Sequence, residues 1–411
     1  MKQILLLSQI LWIFLSFPLF SQTPAGVDPD LWKKALEIHK KAIVLDTHSD
    51  VTMKISRGNF DIGIRHQKGH WDLPRAFEGG LDGEFFSIFV PNSQDSLHPA
   101  KYALELIDAV YRAVEAYPEQ VEMAYTSSDI RRLHRQGKIA VLLGMENGSP
   151  IEHSLALLRN FYRLGVRYIT LTHSKNNDIS DSSTDDKPRW KGLSDFGKEV
   201  VREMNRLGML IDISHLSDDA IRDVLEISQT PVIASHSSVR ALSDVPRNLP
   251  DELIRKVARN GGVIQINFFS GFLSKKYWDA MKARQEKLKP QLAQLREKFK
   301  NNEEGYWKAY VELMKKEKLP VPDVSIIIDH IDYIVKLVGV DYVGLGSDFD
   351  GVSSLPAGME DVSKLPMITY LLLKRGYSEE DITKILGENL LRVMEANEKF
   401  AREQRSKALT N

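Results

Sequence analysis

The feature that most constrains this chain is a unit that recurs along it. A helix ends at glycine, a short apolar strand follows, and a polar residue stands where the strand stops. Five copies are plain. Arg135-Gln136-Gly137 leads into 139–145 and then Glu146, and Arg163-Leu164-Gly165 leads into 168–172 and then His173. Arg206-Leu207-Gly208 leads into 209–214 and then His215, Arg259-Asn260-Gly261-Gly262 into 263–266 and then Asn267, and Leu337-Val338-Gly339 into 342–346 and then Asp348. Glycine after a helix is the expected left-handed C-cap, and near-continuous apolar strands are those of a parallel sheet covered on both faces.

Three further segments fit the strand role: 42–47 before His48, 84–89 before Val90-Pro91, and 232–235 before His236. Between strands the apolar spacing is helical; Phe196, Val200, Met204 and Leu207 line one face behind a candidate N-cap at Ser194. Eight strands alternating with helices predict an α/β fold of parallel units, and a closed (β/α)8 TIM-like barrel is the economical solution. An open doubly wound sheet has the same strand count. The polar residues gathered after the strands favour the barrel, which collects its active-site loops there. Two segments fall outside the repeat. Residues 273–319, rich in Lys, Glu and Gln, read as a helical insertion after the seventh strand with a solvated charged face. Residues 174–191 form a polar loop, either a lid or plain surface.

The N-terminus breaks from this pattern. Lys2 precedes an apolar run over 4–20, followed by Ser21-Gln22-Thr23-Pro24, which reads as an export signal over residues 1–21. The run falls just short of the roughly 20 residues that span a bilayer, so cleavage is favoured over a retained anchor. Residues 22–411 then form one catalytic domain, periplasmic or extracellular, without stable membrane insertion. The chain contains no cysteine, which excludes disulfides, a lipidated N-terminal Cys and a thiolate zinc site. A formal net charge of -1 offers no basic field for nucleic acid.

The chemistry-bearing residues sit at strand ends. Side chains two apart in an extended segment point to one side, so His48 and Asp50 can reach a single metal ion, although His-x-Asp alone is a chance pattern. Glu146 stands among residues that would otherwise be core, where an unpaired carboxylate costs several kcal/mol or shifts its pKa; a salt bridge is the plain alternative. His215 and His236 each end an apolar strand, a place where single histidines are commonly structural. Joint placement changes the balance. A barrel brings the ends of strands one, three, five and six to one rim, so His48, Asp50, Glu146, His215 and His236 can converge. Five donors exceed what one tetrahedral zinc with an open position needs, and a central carboxylate can bridge two ions ~3.5 to 4 Å apart.

A binuclear site points to hydrolysis, because the ion pair polarises a carbonyl and lowers the pKa of a bridging water toward about 7, making hydroxide available. Nitrogen and carboxylate ligands without sulfur suit Zn2+ best, two per chain, with manganese, cobalt or iron as alternatives. His173 and Asp348, ending strands four and eight, remain as supporting or acid–base groups. Arg247 can clamp a carboxylate through its planar fork or be an ordinary surface charge. His39, His66, His70, His98, His134, His153 and His330 lack strand-end placement and read as structural. Gly344-Leu345-Gly346-Ser347 lacks the third glycine of a dinucleotide fingerprint. A glycan on the sequon Asn147-Gly148-Ser149 would fill the pocket beside Glu146.

Taken together, these residues resemble the membrane (renal-type) dipeptidase family of binuclear zinc peptidases. The resemblance runs through Leu45-Asp46-Thr47-His48-Ser49-Asp50, Asp72-Leu73-Pro74-Arg75, Gly144-Met145-Glu146 and Leu171-Thr172-His173. It continues through 208–215, 231–238, Arg247-Asn248 and 346–351, in order over nearly the whole mature chain. It implies that His48 and Asp50 hold one zinc, His215 and His236 the other, and that Glu146 bridges them. It further implies that His173 binds the substrate carbonyl and stabilises its oxyanion, Arg247 binds the C-terminal carboxylate, and Asp348 transfers a proton to the leaving amine. Dipeptides are the implied substrates, and the family's homodimer contact is left open by the insertion. The disulfides and lipid anchor of the animal members have no counterpart here.

Two other readings remain. Binuclear barrel amidohydrolases or lactonases commonly use His-x-His after strand one and a modified Lys after strand four, where this chain has Asp50 and His173. A non-catalytic metal-binding relative would need neither His173 nor Asp348.

Overall fold

A computed structural model describes residues 23–95, 97–300 and 302–410. The expected export signal at 1–21 lies outside the described residues. Among the described residues nine parallel strands are present: β1 Leu45–Ser49, β2 Gly83–Phe89, β3 Val121–Met123, β4 Ile139–Glu146, β5 Val166–Thr170, β6 Leu210–Asp212, β7 Ile233–Ser237, β8 Val263–Ile266 and β9 Val343–Leu345. Eight run in the order β1-β2-β4-β5-β6-β7-β8-β9, with β3 beside β4 and off this path. The seam between β1 and β9 is held near the polar end, where Asp50 N–H donates to Phe349 O at 2.7 Å and Asp348 N–H to His48 O at 3.0 Å. The result is a nearly closed (β/α)8 barrel, as the sequence predicts.

Strand β3 is an addition to the expected eight. It pairs Val121 to Ile139 through Met123 to Val141, beside the first half of β4, while β5 pairs with β4 only from Leu143 onward. It fills the place that the short β5 leaves empty. Several strand boundaries also move. His48 lies within β1 and His236 within β7, rather than after them, because the hydrogen-bond ladder continues past the last apolar residue. His173 stands three residues beyond β5.

Local chemistry explains the helices between strands. The helix Asp195–Leu207 starts where Ser194 Oγ accepts the Gly197 N–H at 2.9 Å and stops at Gly208, whose φ of 81° suits a residue without Cβ. Phe196, Val200 and Met204 are buried on its inner face. After β8 the chain is helical over Ser270–Leu273, Lys275–Lys298 and Glu303–Lys316, matching the expected insertion. The loop over 174–191 is pinned: the Asp181 carboxylate accepts the N–H groups of Arg189, Trp190 and Gly192 at 2.7 to 3.1 Å. It braces the site, because Ser182 Oγ donates to His173 O at 2.6 Å.

Inside the barrel, Leu45, Phe85, Leu142, Tyr168, Leu210, Ile233 and Val263 form an apolar layer, closed from below by Leu390, Leu391 and Met394 of the terminal helix Asn389–Thr410. Above it the lining turns polar; Thr47 Oγ1 donates to Ser235 O at 2.5 Å. Among the described residues no helix is long and apolar enough to cross a membrane.

His330 ties the insertion to the barrel. Its Nδ1 accepts the Val239 N–H at 3.1 Å, so the ring proton sits on Nε2 and donates to Leu273 O at 3.0 Å. Burial lowers its pKa to about 4 from the ordinary 6.5. The neutral ring therefore contributes stability above about pH 6.5 that is lost as pH falls toward 4, because the unfolded chain takes up the proton first. The expected loss is on the order of 3 kcal/mol. Denaturant unfolding between pH 7 and pH 4 should show a shallower pH dependence in His330→Gln than in the parent protein; equal slopes would contradict the assignment.

Candidate metal centre

Four strands deliver the donors to one end of the barrel. His48 comes from β1 with Asp50 directly after it, Glu146 is the last residue of β4, His215 follows β6, and His236 lies in β7. All five are buried. Glu146 occupies the middle. Its Oε2 is 3.4 Å from His48 Nε2, while its Oε1 is 3.0 Å from His215 Nε2 and 3.5 Å from His236 Nε2. Asp50 Oδ2 stands 3.6 Å from the same His48 nitrogen. His215 has a φ of 69° and Asp348 a φ of 62°, backbone strain of about 1–3 kcal/mol each.

Hydrogen bonds behind the rings set which nitrogens face the cluster. Tyr168 OH donates to Thr47 O at 3.1 Å, so its oxygen accepts from His48 Nδ1 at 2.7 Å and turns His48 Nε2 toward Glu146. His236 is held the same way. Ser235 Oγ donates to Asp212 Oδ2 at 2.6 Å, and therefore accepts from His236 Nδ1 at 2.8 Å. Asp212 also accepts from Thr170 Oγ1 at 2.5 Å and from the N–H groups of Ser235 and Ser214 at 2.8 and 3.0 Å. Such carboxylate-backed imidazoles recur behind metal ligands.

The donors fit cations. His215 and His236 Nε2 lie 3.0 Å apart, so no more than one nitrogen of that pair can carry a donated proton. Ligand atoms about 2.0–2.1 Å from one tetrahedral ion lie about 3.3–3.4 Å from each other, near the spacings found here. His48 Nε2 and Asp50 Oδ1 are buried without a hydrogen-bond partner. Among the described residues three groups have ligand atoms within 4.8 Å of one another: His48, Glu146 and His236; Glu146, His173 and His215; and His48, Asp50 and Asp348. The donor field thus extends past the five expected residues, and His236 and His173 reach across the expected pairing. Burial pushes His215 and His236 well below the ordinary histidine value, leaving neutral rings able to ligate. Burial alone would raise Glu146, but the neighbouring His48 and His173, with the His215 and His236 rings beside it, hold it well below the carboxylate range.

Above the cluster opens a cavity of about 470 Å³, lined by His173, Arg247 and Asp348 with Phe89, Phe269 and Phe272. Arg247 is buried, its guanidinium 5.2 Å from the Phe272 ring centroid and its Nη2 donating to His236 O at 3.2 Å. Burial lowers it to about 10, still cationic at neutral pH, with Asp348 and Glu146 opposing the fall. Burial raises Asp348 to about 7, and its Oδ2 accepts the Asn267 amide at 2.8 Å. His173 Nε2 is 3.6 Å from Glu146 Oε1. Ser174 Oγ donates to Asn92 Oδ1 at 3.1 Å and so accepts from His173 Nδ1 at 2.8 Å. Asn147 is consumed internally, donating to Val90 O and Asp95 Oδ1 at 2.9 Å each.

Tyr168, Asp212, Ser235 and Asn267 are additions to the residues expected from sequence. Asp212, a carboxylate within the apolar run Leu210-Ile211-Asp212-Ile213, carried a readable signal by the argument applied to Glu146. Tyr168 carried none, because a tyrosine in an apolar strand reads as core.

The family model for membrane dipeptidase (peptidase family M19) matches residues 32–408. Dipeptidase tcpJ of Claviceps purpurea (strain 20.1) is 36% identical over 375 residues, covering 88% of this chain and 78% of the fungal protein. The crystal structure of the probable dipeptidase PvdM from Pseudomonas aeruginosa is 30% identical with a TM-score of 0.77, covering 91% of this chain and all of that one. A metallo peptidase from Rhodobacter sphaeroides, solved with a phosphinate mimic of the dipeptide L-Ala-D-Ala, is 25% identical with a TM-score of 0.71, covering 87% of this chain and 99% of that one.

Replacing Tyr168 with Phe keeps the ring in the apolar layer and removes the oxygen that holds His48 Nδ1. Metal affinity should fall about 10- to 100-fold with the fold retained. Chelator competition followed by metal analysis measures this, and an unchanged affinity would show that Tyr168 serves packing alone.

Proposed function

Because this chain belongs to the membrane dipeptidase family and is a metallo-dipeptidase, we propose that it is an exported two-zinc enzyme that hydrolyses dipeptides at the barrel mouth. One observation carries the two-metal reading: the two oxygens of the buried Glu146 carboxylate face different imidazoles, His48 on one side and His215 with His236 on the other. His48 and Asp50 would hold one ion and His215 and His236 the second, with Glu146 shared. A donor set of imidazole and carboxylate in a chain without cysteine suits zinc. The phosphinate dipeptide mimic bound by the Rhodobacter relative supports a dipeptide as the ligand.

Bound there, two divalent cations supply Lewis-acid polarisation of the scissile carbonyl and acidify water. The remaining work falls to the chain. Arg247, buried and cationic, binds the terminal carboxylate through its planar fork, which fixes the substrate's register and limits its length. His173 faces the carbonyl oxygen through Nε2. To donate there it needs a proton on that nitrogen, as imidazolium or with the Ser174 hydroxyl turned to Nδ1. Asp348 has one oxygen occupied by Asn267, so Oδ1 is left to carry a proton to the leaving amine. The apolar run within the first 21 residues supports export of the chain.

Metal analysis and dipeptide kinetics on wild type, Glu146→Ala and Arg247→Ala test this reading. The wild type should carry about two metal ions per chain. Glu146→Ala should lose metal and turnover; two ions with normal turnover would refute the bridge. Arg247→Ala should raise KM about 10- to 100-fold, the worth of a charge-assisted hydrogen bond, with a smaller change in kcat.

A further inference from the structure

We propose that Arg57 selects dipeptides bearing a second carboxylate, supplied by an aspartyl or glutamyl side chain; the proposal rests on the dipeptidase reading above. Two arginines line the cavity over the metal centre, Arg247 buried and Arg57 exposed. Among the described residues no carboxylate oxygen lies within 4.0 Å of either guanidinium. The other charged groups nearby are engaged. Lys54, three residues before Arg57, is paired with Asp350 Oδ1, and the same carboxylate accepts the His70 N–H at 2.7 Å. Asp50 and Asp348 cluster with His48, and Glu146 is enclosed by histidines.

Backbone hydrogen bonds place the Arg57 main chain beside the cavity. The turn that follows Asp50 is built by Met53 N–H donating to Asp50 O at 3.0 Å and Arg57 N–H to Lys54 O at 3.2 Å. Arg57 therefore stands seven positions after Asp50 and lines the cavity together with Met53, Asp350 and Gly351. A neutral dipeptide has one carboxylate, which Arg247 takes. A ligand complementary to this cavity has a further anion for the second fork, joined by methylenes that pack on Met53 and the phenylalanines.

The test measures kcat/KM of the metal-loaded full chain for Ala-Ala, Glu-Ala, Ala-Glu, Lys-Ala and Ala-Lys, in wild type, Arg57→Ala and Arg57→Glu. Wild type should prefer one or both acidic substrates. The acidic-to-neutral ratio should fall about fivefold in Arg57→Ala, the most that a solvent-screened ion pair supplies, and the preference should move to the lysyl substrates in Arg57→Glu. Added salt should shrink the wild-type preference. Acidic and neutral substrates falling in parallel, or a preference unmoved by Arg57→Glu, would overturn the assignment while leaving the dipeptidase reading intact. Failure of the loaded wild type to cleave any of the five would overturn both.

Discussion

A buried carboxylate at the mouth of the barrel organises the site. Glu146 closes β4 in a stretch whose every residue is buried, where an isolated negative charge would cost several kcal/mol or give way to the neutral acid. It stays ionised because imidazoles surround it, yet burial also drives two of those rings, His215 and His236, toward their neutral form. Two cationic groups, His48 and Arg247, face three carboxyl groups, Glu146, Asp50 and Asp348, so positive charge falls short there. A bound metal would remove that deficit, which gives the electrostatics of the site and its metal-dependent chemistry one origin.

The rest of the barrel is arranged beneath this demand. An apolar layer packs its lower half, and the next level supplies the hydrogen bonds that aim the ligands: Tyr168 behind His48, and Asp212 through Ser235 behind His236. Tyr168 belongs to both levels, its ring in the core and its hydroxyl on a histidine. Gly144 makes room for it, since a Cβ at that position would stand 2.0 Å from the tyrosine ring. The seam between β1 and β9 closes beside the metal centre, which ties Asp348 to His48 through the backbone as well as through charge.

The fold was legible because it is written in a repeat. Glycine at the ends of helices, apolar strands and polar strand ends each have a local physical cause, and the resemblance to dipeptidases extended along most of the chain. What was not legible depends on partners far away in sequence. Strand β3 has three residues and exists because β4 has a vacant edge beside the short β5. The supporting roles of Tyr168 and Asn267 need neighbours at His48 and Asp348, 120 and 81 residues distant. Strand ends read from hydropathy fell short at His48 and His236 because the ladder continues into the polar layer.

The central claim is that one carboxylate serves two cations. Anomalous diffraction recorded on both sides of the zinc absorption edge, from crystals of protein purified with zinc, tests it directly. Two peaks flanking the Glu146 carboxylate, one beside His48 and Asp50 and the other beside His215 and His236, are the predicted result. A single peak, or density for zinc away from Glu146, would contradict it.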